Sequence, residues 1–173
     1  MKNITTAIII AVTTLGSASF SFAQSSATAA AGANIITPIA ITKVTDMNFG
    51  NVAVSASNGG TVILSTSSNR TTGGAGGTTL PATSGTVGAA EFSISGQPGY
   101  TFVITLPSSC TITDGSGHTM TVNSFTSNPS STGTLSSGGT QNLKVSATML
   151  VAAAQPSGTY TNSSGVPVTV NYN

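Results

Sequence analysis

The chain is predicted to be all-β: an antiparallel Ig-like β-sandwich of about seven to nine strands, with no helix after an N-terminal leader. Three observations lead there. Apolar residues recur at every second position along short runs, the period of a strand with one buried face. Turn-forming Gly, Ser and Asn clusters separate those runs. Helical spacing is missing beyond the leader; the one candidate, "MLVAAAQPSG" at 149–158, is ended by Pro156 and Gly158.

The elements follow in order. Lys2, the apolar "AIIIAVTTLGSASFSFA" and the small pair Ser21 and Ala23 read as a signal peptide over 1–23, so the exported chain begins at Gln24. Its apolar part is too short and Thr-rich for a membrane anchor, which needs ~20 apolar residues. Residues 24–44 form an N-terminal extension or first strand, and 45–173 the sandwich domain. Within "ANIITPIAITK" (33–43), Ile35, Thr37, Ile39 and Ile41 share one face, while Pro38 points to an edge position. In 46–54 the parity of Met47 and Phe49 is opposite to that of Val52 and Val54. A bulge near Gly50–Asn51 would turn all four inward.

"NGG" at 58–60 is a turn before the strand "TVILS", and "SSNRTTGGAGGTT" reads as a surface loop. "AAEFSISG" and "YTFVITLP", joined by "GQPG", have the marks of a hairpin, with Ala90, Phe92 and Ile94 pointing one way on the first strand and Tyr100, Phe102, Ile104 and Leu106 one way on the second. A second hairpin joins "CTIT" to "TMTVNSF" across "DGSGH". "TQNLKVSATM" then turns Leu143, Val145, Ala147 and Met149 inward and Lys144 outward. Val166, Val168, Val170 and Tyr172 alternate strictly at the end. No repeat marks a solenoid or propeller.

Composition excludes several functions. Only 4% of residues are charged, against ~25% in an ordinary globular domain. Beyond the leader, Lys43, Arg70 and Lys144 balance Asp46, Glu91 and Asp114. Nucleic-acid binding by counterion release needs clustered cations, as does attraction to acidic lipids. A neutral Ser/Thr/Gly surface leaves little repulsion between copies and favours self-association.

No catalytic, cofactor or metal site is expected. His118 is the single imidazole, and "DGSGH" is read as a hairpin turn in which Asp114 bonds its own backbone. No nucleophile-elbow pattern surrounds any serine. His118 and Cys110 together fall short of a zinc set, and the carboxylates lack calcium-loop spacing. Cys110, the lone cysteine, shares a face with Ile112 and is expected to pack as a small apolar residue.

The runs "ITPIAITKVTDMNFGNV", "YTFVITLPSS", "MTVNSFTSNPSSTGTL" and "AAAQPSGTYTNSSGVPVTVNYN" resemble a bacterial domain-of-unknown-function family numbered 4402. Its members look like exported Gram-negative proteins, which implies a periplasmic, cell-surface or extracellular location and no known activity. A looser resemblance is to Ig-like pilins of the chaperone–usher and spore-coat-like types. Those lack one strand and are completed by the N-terminal extension of the next subunit. Their last strand alternates apolar residues up to a penultimate aromatic, as Val166, Val168, Val170 and Tyr172 do here. Pro167 departs from the unbroken Thr/Val alternation expected of the last strand in the 4402 family, while the paired cysteines of many pilins are missing and Gly158 and Gly165 fit the pilin glycine only approximately.

Two functions follow as expectations. The first is a non-catalytic surface subunit of fimbrial type, self-associating by strand donation through residues 33–43. Its partners would be other copies or related subunits, and, by the resemblance, a periplasmic chaperone and outer-membrane usher. The alternative is a self-contained adhesin-like module binding a glycan or protein through loops 66–79 and 127–141. The open question is where the 33–43 isoleucines go: into their own sandwich or into a neighbour.

Overall fold

A computed structural model describes residues 23–173. The signal-peptide reading therefore lies almost wholly outside the described residues. Contacts divide the chain after Ile35. The described part of the first unit, 23–35, carries no strand, and its side chains are exposed. The second unit is all-β, without helix among the described residues.

One large antiparallel sheet is organised around a single long strand. β13 (Thr140–Val151) pairs with β11 (Thr119–Asn128), while its residues 140–145 pair with β8 (Ala90–Ser95) and 148–151 with β4 (Gly60–Leu64). Residues 144, 145 and 148–150 have partners both in β11 and in β8 or β4. Those partners must therefore lie along opposite edges. The sheet continues outward through β10 (Ser109–Thr113) beyond β11, β1 (Ala40–Thr45) beyond β8, and β5 (Arg70–Gly73) beyond β4. The predicted hairpin across "DGSGH" is β10–β11, with Cys110 opposite Val122 and Ile112 opposite Met120.

A second, three-stranded sheet runs β12 (Thr132–Thr134), β9 (Thr101–Thr105), β14 (Thr169–Tyr172). Phe102, Ile104 and Val170 from this sheet pack with Ile94, Leu143 and Val145 of the large one. Two layers closing on one apolar core make the fold sandwich-like. Within the second sheet Gly133 of β12 stands opposite Phe102 of β9, and an added Cβ would sit 2.3 Å from that ring.

Two local readings are corrected. β8 and β9 do not form a hairpin: β8 is flanked by β1 and β13, and β9 by β12 and β14. "GQPG" carries the chain from one layer to the other. Turn residues announce a reversal but not whether the strands pair or face each other across a core. The stretch 66–79 is also more than a surface loop, since it supplies β5 and β6 (Thr78–Thr79). Fourteen strands result among the described residues, four of them two residues long. The added ones come largely from interruptions in residues 46–88.

Around Gly50 the chain is interrupted between two separate strand pairings, where the sequence predicts a bulge within one strand. Gly50 takes φ +66° and its N–H donates to Asn48 Oδ1 at 2.8 Å. This left-handed residue lets Met47, Phe49, Val52 and Val54 all face the core. The segment hydrogen-bonds as two fragments, β2 (Asn48–Phe49) to β7 (Val87–Gly88) and β3 (Ala53–Val54) to β6.

Candidate functional site: an apolar cleft in the sandwich

The three-stranded sheet covers only part of the large sheet's inner face. Alternation along β13 places Leu143, Val145, Ala147, Met149 and Val151 on that face. The first two join the core under the second sheet, whereas Ala147, Met149 and Val151 cluster separately with Val62 and Val122. Register extends this second cluster into cross-strand rows. One row runs Cys110–Val122–Met149–Val62, and Ile112 lies opposite Met120 beside it.

Above these rows lies a cleft of about 1160 Å³. Its floor holds Cys110, Ile112, Met120, Val122 and Met149. Cys110, Ile112 and Met120 are only half-buried, as are Met47, Phe49, Val52 and Val54 on the rim. Val122 and Met149 are buried, so the open part of the face is that of Cys110, Ile112 and Met120, which loses part of the stabilisation that full burial brings, ~1.5–3 kcal/mol per large side chain.

Both rims are tied down. Arg70 Nη1 donates to the carbonyl of Phe49 and to that of Asn51 at 2.8 Å. Asn51 N–H donates to Ser84 O and Ser55 N–H to Gly77 O, both at 2.7 Å. The far rim, residues 155–166, is held on β10 and β11. Thr113 and Thr161 exchange backbone hydrogen bonds at 2.9 Å, and Gln155 Nε2 donates to Thr119 O at 3.3 Å. Tyr160 Oη donates to Pro156 O at 2.8 Å, closing the turn within that rim. Lys43 and Asp46 at the mouth pair with each other at 2.8 Å.

The residues singled out from the first strand are split. Ile35 is 91% exposed, and Thr37 is exposed too. Ile39 and Ile41 are half-buried against their own core, as is Val168. Ile41 stands opposite Ile94 in the β1–β8 register. Sequence alternation missed Ile36, which is half-buried where Ile35 is not. Pro38 offers a reason for the change of parity, since it fixes φ and interrupts a regular pleat.

The C-terminal residues are also in place in this unit. Val170 is buried, and Tyr172 packs edge-on against Tyr100 with ring centroids 5.7 Å apart. The Tyr172 hydroxyl donates to Thr37 O at 2.8 Å and accepts from Gln97 N–H at 2.6 Å, while Thr37 N–H donates to Gln97 Oε1 at 3.2 Å. No alternation signal could have announced this latch across |i−j| = 135. Val166 lies apart from the latch, on the cleft rim.

"DGSGH" is a hydrogen-bonded turn. Asp114 Oδ1 accepts from the N–H groups of Ser116 (2.8 Å) and His118 (3.1 Å), and His118 Nδ1 lies 2.6 Å from Asp114 Oδ2. The imidazole contact, followed by the two backbone donors, holds the Asp114 carboxyl below its ordinary 3.8. Among the described residues no group of three His, Cys, Asp or Glu side chains gathers as a metal site would. Loops 66–79 and 127–141 are partly taken up by β5, β6, the end of β11 and β12. No helix among the described residues is long and apolar enough to cross a membrane.

Fold and cleft together define an all-β, sandwich-like domain with one stretch of its inner face open. The chain belongs to the family described as a domain of unknown function, DUF4402, whose model matches residues 39–172. No curated protein and no solved structure matches the chain.

Proposed function

We propose that this protein is a non-catalytic structural subunit of the bacterial surface, exported and assembled with copies of itself in a fimbrial manner through its N-terminal region. One observation carries the reading: the sandwich keeps an apolar cleft open along its own inner face. A face of this kind is stabilised by a chain that closes it, and an added strand supplies both apolar cover and backbone hydrogen bonds. The near absence of charge supports the same reading, since nothing electrostatic opposes the approach of identical copies. A periplasmic chaperone and an outer-membrane usher are the partners such a subunit would need before assembly.

The test is the oligomeric state of the chain from Gln24, followed by light scattering and electron microscopy over a concentration series. Filaments or concentration-dependent oligomers are expected. A chain that remains monomeric throughout, with no filaments, overturns the proposal.

A further inference from the structure

We infer that the cleft is a strand-acceptor site and that its occupant is residues 24–36 of a second copy of this chain. The inference rests on the self-association reading and adds to it the two surfaces that meet. β1 takes Ala40–Thr45 for its own sheet, and Thr37 is latched by Tyr172 and Gln97. The free donor is therefore the stretch before Thr37, further upstream than 33–43.

The sequence of that stretch fits the cleft. Ala27, Ala29, Ala31, Ala33 and Ile35 fall on one parity, and no charged residue occurs between Gln24 and Ile36. Extended, the segment spans ~40 Å at ~3.3 Å per residue, a length comparable to β13, the longest strand of the floor. Its small side chains suit a narrow slot between two fixed rims, and Ile35 is the one large apolar anchor. Exposed in its own chain at 91%, Ile35 has apolar surface to bury elsewhere.

The acceptor has matching properties. The floor residues Cys110, Ile112 and Met120 are half-buried and apolar, and the only charges at the mouth, Lys43 and Asp46, neutralise each other. On the rim, β2 and β3 each belong to a two-stranded sheet, so each has one backbone edge without a partner strand. An incoming extended segment finds apolar pockets there for alternate side chains, and pairs along that edge where Arg70 does not already cap the carbonyls of Phe49 and Asn51.

Cys110, the single cysteine, reports on occupancy because it lies on the cleft floor. Its labelling by a chromogenic disulfide reagent is followed for the chain from Gln24 and for a variant carrying Ile35→Asp and Ala31→Asp. Both substitutions fall on exposed positions and leave the sandwich unaltered. As the first chain is concentrated, labelling is expected to slow by about tenfold or more, following the occupied fraction of the site. The variant should label fast at all concentrations, and a synthetic peptide of residues 24–36, unlike a scrambled one, should slow it.

Assembly with Cys110 still labelled at the monomer rate overturns the acceptor site but leaves the self-association reading standing. Peptide protection in a chain that never assembles supports the acceptor site and overturns self-association, making a different subunit the natural source of the strand. A peptide without effect on the variant overturns the inference outright.

Discussion

Single residues fix the points where the chain must not move. Tyr172 is one: its hydroxyl serves Thr37 and Gln97 at once, so Tyr172→Phe strands a part-buried N–H. A loss of about 1–3 kcal/mol is expected, measured by denaturant unfolding, with faster amide exchange at Gln97. Gly133→Ala should cost about 1–3 kcal/mol by overpacking, because Phe102 is fully buried beneath it and has no room to yield. Asp114 provides a pH signature. Its carboxyl is held low in the folded chain, so the stabilisation it adds is present above the unfolded value and is lost as pH falls through the folded one. Carboxyl NMR should give an Asp114 midpoint below 3.8, and His118→Ala should raise it; an unchanged midpoint would contradict the His118 contact as the main cause.

At the scale of elements, the 46–54 segment is the least regular part of the cleft and depends on help from outside. Arg70 on β5 caps two of its carbonyls. Arg70→Met keeps the side-chain stem and removes the donors, leaving a cost of about 1.5–3 kcal/mol at most for charge-assisted bonds, less where solvent reaches them. The telling readout is local: exchange protection at Asn51 and Ser55 should fall while that of β13 is unchanged. The two halves of the large sheet should also respond differently to truncation. Leu143→Ala, beneath the second sheet, is expected to cost about 2–5 kcal/mol in any state of assembly. Ile112→Ala should cost clearly less in the monomer, where the side chain is half-exposed, and more once the cleft is filled.

For the whole molecule, a formal net charge of only +1 sets the character of any association. Binding through apolar cover and backbone pairing, with Lys43 and Asp46 already paired, should be nearly indifferent to a tenfold change in salt. Sedimentation across such a series checks this; a steep weakening with salt would point to an electrostatic contact instead.

Much of this was legible in the residues because one physical rule, apolar alternation on a half-buried strand, governs both pattern and fold. Leu143, Val145, Ala147 and Met149 announced their face, the β10–β11 hairpin announced its turn, and opposed parities around Gly50 announced an irregularity, which is a break between β2 and β3. Poverty in charge and in titratable groups belonged to composition alone. Pairing partners did not: β8 and β9 share an ideal hairpin signature yet lie in different layers, because a turn's local chemistry carries no information about which edges are already occupied. The cleft is likewise a property of tertiary structure. Ile112 and Leu143 are indistinguishable as inward-facing residues of strands, and only the extent of the second sheet decides that one is covered and the other left open.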